Sequence, residues 1–296
     1  MFNLNLEYWV HWLSFGFKLN DVKAFETFLA LCKKNGVAGV ELPWKPLMEL
    51  TATEVANSLK KFGITKIALY IFFSDIDPLD RSTGRRAALA HITNAMRFIN
   101  VLRSLGIETV CIDGPFAYQI EKEYRGGTTK PMLAFLRAVS KLAAHHQVLC
   151  CIQSLRLEEN QAIGDGASTV LLVEWVDSHW IKAHLGTFHM DCWGEDMGEV
   201  LSRAGSNLGW FHVSGRNRYT PGSKGDRIDW KIVAEALLRN RVDASDEPVP
   251  GVCFKALSPA FRKGNPAIGA GFPKDLKPEK AISTARQTLR YAKIIA

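Results

Sequence analysis

The chain has 296 residues, 47% apolar and 23% charged, with a formal charge of +7. That balance excludes a disordered chain and is enough for a sizeable buried core. The sequence contains no run of about 18 uncharged apolar residues, and its start, MFNLNLEYWVHW, lacks a basic region, apolar core and cleavage site. Neither a membrane span nor a secretory leader is expected, and the protein is read as cytoplasmic.

In chain order, a first strand is predicted in EYWVHW, followed by helical spacing from Asn20 to Asn35 and a strand in VAGVEL (37–42). Helix from Thr53 to Phe62, strand TKIALYIFF (65–73), helix from Arg85 to Leu105 and strand ETVCID (108–113) come next. Helix from Lys130 to His145 precedes QVLCCIQ (147–153), IKAHLGTF (181–188) and LGWFHVS (208–214). Helix from Trp230 to Arg239 then leads to the last strand, GVCFKAL (251–257). The strand runs are continuously apolar rather than alternating, as parallel strands buried on both faces require. Three helix-to-strand joints, KKNGVAGVEL, KKFGITKIAL and RSLGIETVCI, carry a glycine where a helix stops in the left-handed conformation.

Strands that alternate with helices imply parallel βαβ units, and eight of them fit a closed (β/α)8 TIM barrel better than an open sheet. No low-complexity linker divides the chain, so residues 1–296 are read as a single α/β barrel domain. A Gly/Pro-rich excursion at 261–278 follows the last strand, and in a barrel it would lie on the catalytic face.

Cys111, Cys150, Cys151 and Cys253 sit in apolar runs, while Cys32 and Cys192 have no partner at zinc-finger spacing. They read as reduced, mostly buried thiols. The basic residues are dispersed and lack interleaved aromatic platforms, so they indicate a solvated basic surface rather than nucleic-acid binding.

Active sites of parallel barrels lie at the C-terminal strand ends. That rule gathers Trp9 and Trp12, Glu41 and Trp44, Asp113, Gln153, residues 186–191, His212 and Lys255. Lys255, in an apolar strand, either reaches a carboxylate, snorkels to water, or has the depressed basicity that suits acid/base or Schiff-base chemistry. The stretch AHLGTFHMDCWGED (183–196) offers two histidines and several carboxylates, and by itself invites a metal.

The pieces LEENQ (157–161), LGTFHMD (185–191), LGWFHVSGRNRYTPGSKGDRIDW (208–230) and the strand ending at Lys255 resemble, in order and separation, the ketose 3-epimerases. These belong to the sugar isomerase/epimerase superfamily, with its xylose isomerase-like barrel. The resemblance implies a fold in which a divalent metal polarises a hydroxy-ketone while two glutamates shuttle a proton. It also implies ligand positions on strands five to eight, which here hold Gln153, Gly186, His212 and Lys255. Only the histidine is kept. A lysine about 4 Å from a dication would repel it by several kcal/mol even at a generous dielectric. No metal and no cofactor are therefore expected. His184, Asp191, Glu195 and Asp196 fall outside the ligand positions.

What the resemblance keeps is the shell that contacts the sugar: Glu159, His189 and Arg218. The catalytic candidates are Lys255, Glu159, His189 and His212, and the substrate-binding candidates are Arg218, Gln153, Arg216, Trp9 and Trp12. Lys255 would stabilise an enolate as a fixed positive charge or form an imine, with Glu159, His189 or His212 supplying acid/base steps. The expected activity is a metal-independent isomerisation or epimerisation of a small anionic or carbonyl-bearing substrate, with elimination (a lyase) or rearrangement in a biosynthetic pathway as variants. A non-catalytic sugar-binding protein derived from an epimerase is the alternative. The expected partner is a small molecule, not nucleic acid or membrane, and a homodimer is left open. A nuclease of the same superfamily would need many more histidine and carboxylate ligands than the strand ends offer.

Overall fold

The computed structural model describes residues 6–12, 21–44, 49–72, 84–102, 109–113, 129–154, 164–218, 220–243, 252–254 and 278–295. Eight parallel strands close into a barrel in sequential order. They are β1 (Tyr8–His11), β2 (Gly39–Pro43), β3 (Lys66–Phe72), β4 (Thr109–Asp113), β5 (Leu149–Gln153), β6 (Ile181–Gly186), β7 (Leu208–Val213) and β8 (Val252–Phe254). Closure is made by β1 on β8, with Tyr8 opposite Val252 and Trp9 opposite Cys253. The expected (β/α)8 architecture is what the chain adopts.

The described helices are α1 (Val22–Lys34), α2 (Ala52–Phe62), α3 (Gly84–Leu102), α4 (Thr129–His146), α5 (Gly166–Val176), α6 (Thr187–Trp193), α7 (Met197–Ala204), α8 (Trp230–Asp243) and α9 (Pro278–Tyr291). The start of α1 is fixed by the Asp21 carboxylate, which accepts from the Ala24 N–H at 2.8 Å. Its buried face, Phe25, Phe28, Leu29 and Cys32, follows the helical period. Thr51 and Glu54 form a reciprocal capping box on α2, and Gly63 ends that helix at φ +69°.

Alternation along the strands divides the interior into two cores. Ile67, Leu69 and Ile71 of β3, with Val110, Ile112 and Ile152, face outward into the main core beneath the helices. Their neighbours Ala68, Tyr70, Cys111 and Cys151 face inward with Trp9, Trp210 and Cys253, filling the barrel's lower interior. Small thiols and alanine leave room there for two indoles, and Trp9 meets Trp210 edge-on at 4.9 Å. A Cβ on Gly39 would stand 2.6 Å from the Trp9 ring, so glycine is needed beside it.

One boundary differs from the sequence reading. The run read as strand to residue 188 stops at Gly186, and Thr187 opens α6. The Thr187 hydroxyl donates to the Ser214 carbonyl at 2.6 Å and accepts from the Ser214 N–H at 3.0 Å. This local clamp turns the chain where the β6–β7 pairing ends, opposite His212. Helices α5 to α7 and α9 were not read from the sequence. None of the six cysteines is in a disulfide, and Cys192 is the one that is exposed. No described helix is long and apolar enough to cross a membrane.

Candidate functional site

At the C-terminal ends of β5, β6 and β7 the barrel brings together Gln153, Gly186 and His212, all buried. The register sets Gly186 beside His212 and His212 beside Cys253. Helix α6 then carries His189 back over this end. The short 3-10 turn Arg216–Arg218 follows β7 and packs near it.

His189 is 2% exposed and its Nε2 lies 3.3 Å from the Arg218 guanidinium. Arg218 is 7% exposed, lies over the Phe188 ring at 4.3 Å, and holds a left-handed φ of +58°. For a residue with a Cβ that conformation costs about 1–2 kcal/mol, so surrounding contacts hold a buried cation in a chosen place. Arg216 takes a different course. Its side chain is half exposed and pairs with Asp191 of α6 at 3.3 Å, which puts it on the solvent-facing rim. Burial raises the Asp191 carboxyl above its ordinary value, and the Arg216 charge pulls it back.

The remaining acidic residues of the 183–196 stretch are structural. Glu195 accepts from the N–H groups of Gly166 and Ala167, both at 2.9 Å, clamping the start of α5. Asp196 caps α7 through the Glu199 N–H at 3.0 Å. His184 points into the barrel, edge-on to His212 at 4.0 Å.

Beneath the strand ends lies a polar layer. Glu41 of β2 is fully buried, and its Oε2 stands 2.6 Å from His212 Nε2, 3.3 Å from Cys253 Sγ and 3.7 Å from His11 Nε2. The other ring nitrogen of His212, Nδ1, lies 3.4 Å from Gln153 Nε2, and the Tyr70 hydroxyl donates to Gln153 Oε1. Trp9 belongs to the inner core below this layer. Trp12 is buried at the end of β1, stacked near His11 at 6.2 Å. Glu159, Lys255 and residues 261–277 of the Gly/Pro-rich excursion lie outside the described residues, and Pro278 opens α9.

Sequence reasoning gathered Glu41 at a strand end but gave it no role. The signal was a carboxylate inside the apolar run VAGVEL, where an acidic group needs a partner.

The model of the xylose isomerase-like TIM-barrel family matches residues 29–244. The chain belongs to that family. Its resemblance to the ketose 3-epimerase branch is borne out by relatives of that kind. D-psicose 3-epimerase of Ruminiclostridium cellulolyticum is 36% identical over 102 residues, 34% of this chain and 34% of that protein. The matched stretch thus spans about a third of that curated relative's length. The crystal structure of D-psicose 3-epimerase with D-tagatose from Clostridium cellulolyticum H10 superposes with a TM-score of 0.78 at 20% identity, covering 98% of this chain and 100% of that one. The structure of L-ribulose 3-epimerase gives 0.80 at 19% identity, covering 97% and 94%. These two likenesses establish the shared fold.

The divalent metal that the resemblance implies does not fit the described residues. Gly186 offers no ligand, and a Cβ there would stand 3.3 Å from His212 Cβ. Gln153 is a neutral amide already bonded to Tyr70. Glu41, His212 and Cys253 do bring ligand atoms within 4.8 Å of one another. Two ligands each about 2.1 Å from a tetrahedral ion stand about 3.4 Å apart. The 2.6 Å between His212 Nε2 and Glu41 Oε2 is instead a charge-assisted hydrogen-bond distance.

Proposed function

We propose that this protein is an isomerase or epimerase that acts on a small, polar, carbonyl-bearing substrate, anionic in character, without the family's metal. The observation that carries the reading is the buried Arg218–His189 pair, held beside strand ends whose ligand positions 153 and 186 have lost their carboxylates. A cationic shell has been kept, and the acidic cage that would hold a dication has not. Arg218 suits a carboxylate, phosphate or developing enolate oxygen, because a guanidinium fork matches such groups. Lys255 supplies a further positive charge or an imine-forming amine, and Glu159, His189 or His212 supply the acid/base steps. Removal of a proton next to the carbonyl gives an enolate, and its return to the opposite face or the neighbouring carbon gives epimer or isomer. The same enolate serves elimination or rearrangement.

A non-catalytic sugar-binding role is the second reading, favoured by one observation: both ring nitrogens of His212 have partners within the protein. The test uses chelator-treated protein in D2O with D-psicose, D-fructose and dihydroxyacetone phosphate. Loss of the proton signal next to the carbonyl is followed by NMR. Exchange that persists without metal is expected. Exchange that appears only after manganese is added overturns metal independence, and binding without exchange selects the second reading. Borohydride trapping, with mass analysis of the peptide containing Lys255, distinguishes imine from enolate.

A further inference from the structure

The interior of the barrel holds a directed hydrogen-bond chain that neither composition nor family pattern announces. The Tyr70 hydroxyl donates to Gln153 Oε1, which fixes the amide so that Nε2 faces His212. Gln153 Nε2 lies 3.4 Å from His212 Nδ1, and His212 Nε2 lies 2.6 Å from Glu41 Oε2. With the amide so oriented, Nδ1 is the acceptor and Nε2 carries the proton given to Glu41. A fully buried carboxylate is expensive unless a hydrogen-bonded partner of opposite character meets it, and this imidazole does so.

We infer that Glu41 is a positioning residue that makes His212 the proton-transfer base of this site. The inference rests on the isomerase reading above. It differs from the role implied by the resemblance, in which this histidine holds a metal and two glutamates move the proton. With those positions now Gln153 and Lys255, the carboxylate behind the ring takes on the work of keeping the imidazole in one tautomer. Nδ1 faces Gln153, the residue on the strand-five ligand position, so its lone pair points at the corner the metal would fill. The 3.4 Å contact is at the long edge of hydrogen bonding, and little is lost when a substrate C–H takes its place.

The step balances within the site. The C–H bond next to the carbonyl breaks, its proton forms Nδ1–H, and the electron pair enters the enolate. The resulting imidazolium stays paired with the Glu41 carboxylate, and return of the proton to carbon restores the neutral ring. Among the described residues, the groups around the dyad include His11 of β1, Tyr70 of β3, Cys111 of β4, His184 of β6 and Cys253 of β8. The Tyr70 ring stacks 6.0 Å from the His212 ring and limits its rotation.

The test is nitrogen NMR of the histidine rings in the full-length, labelled protein, with His212→Gln used to assign the signal. The neutral Nε2–H tautomer is expected in the unaltered protein, and a mixture in Glu41→Gln. On whichever of the three carbonyl probes exchanges, Glu41→Gln should lower kcat by about 10²–10⁴-fold with KM within about threefold, and Glu41→Asp should recover part of it. An Nδ1–H tautomer in the unaltered protein overturns the inference even if no variant folds. So does stoichiometric cobalt binding with thiolate absorption that Cys253→Ser abolishes. Failure of every probe to exchange defeats the isomerase reading, while the ring spectrum still decides the dyad.

Discussion

The Arg218 guanidinium lies over the Phe188 ring, 4.3 Å from its centroid, and this contact joins the turn after β7 to the helix after β6. A planar cation on an aromatic face is held in orientation as well as position. Arg218→Lys should therefore weaken an anionic probe by about tenfold, the size of one charge-assisted hydrogen bond, while the melting temperature changes little. Arg218→Gly relieves the left-handed backbone but removes the cation. It should fold as well and bind worse, and calorimetric titration beside thermal unfolding checks both.

Restoring the missing ligands is the complementary experiment. Gln153→Glu, Gly186→Asp and Lys255→Glu together should create manganese binding visible by electron paramagnetic resonance. Gly186→Asp alone should lower stability by about 1–3 kcal/mol, because its Cβ presses on His212 at 3.3 Å.

Thiol chemistry should single out one residue. Cys192 is exposed, whereas burial pushes the Cys150 thiol up to about 12 and raises Cys32, Cys111 and Cys151 as well. Titration of the native protein with a disulfide reagent should give one fast equivalent, lost in Cys192→Ser, with the rest released on denaturation.

The α2 cap should respond to acid. The Thr51 backbone N–H and hydroxyl hold the Glu54 carboxyl below its ordinary value of 4.5. A lowered carboxyl stabilises the folded helix start fully above that ordinary value, and the contribution disappears as pH falls through the lowered one. Hydrogen exchange in α2 should accelerate over that range, and Glu54→Gln should flatten the dependence.

The barrel was legible because its strands are buried on both faces and because glycines at 36 and 63 mark two helix ends at positive φ. Helix α5 escaped notice since GASTVLLVEWV is apolar on most sides and lacks an amphipathic stripe. Helix α6 was hidden by its threonine clamp to Ser214, a contact across 27 residues. His189 and Arg218 were picked out through the family resemblance, and their mutual contact shows that the two segments meet. Glu41 could not be assigned a role in the same way. Its partner His212 is 171 residues distant, on a strand across the barrel, and only closure and register bring them together.

Among the described residues, the indoles of Trp9 and Trp210, with the small thiols around them, pack the floor of the barrel. That packing leaves, among the described residues, the strand ends as the side from which a substrate would reach His212. On the proposed reading, a proton lifted from carbon meets water only from the strand-end side before it returns, and the stereochemical outcome follows from which face of the enolate the substrate turns toward the ring.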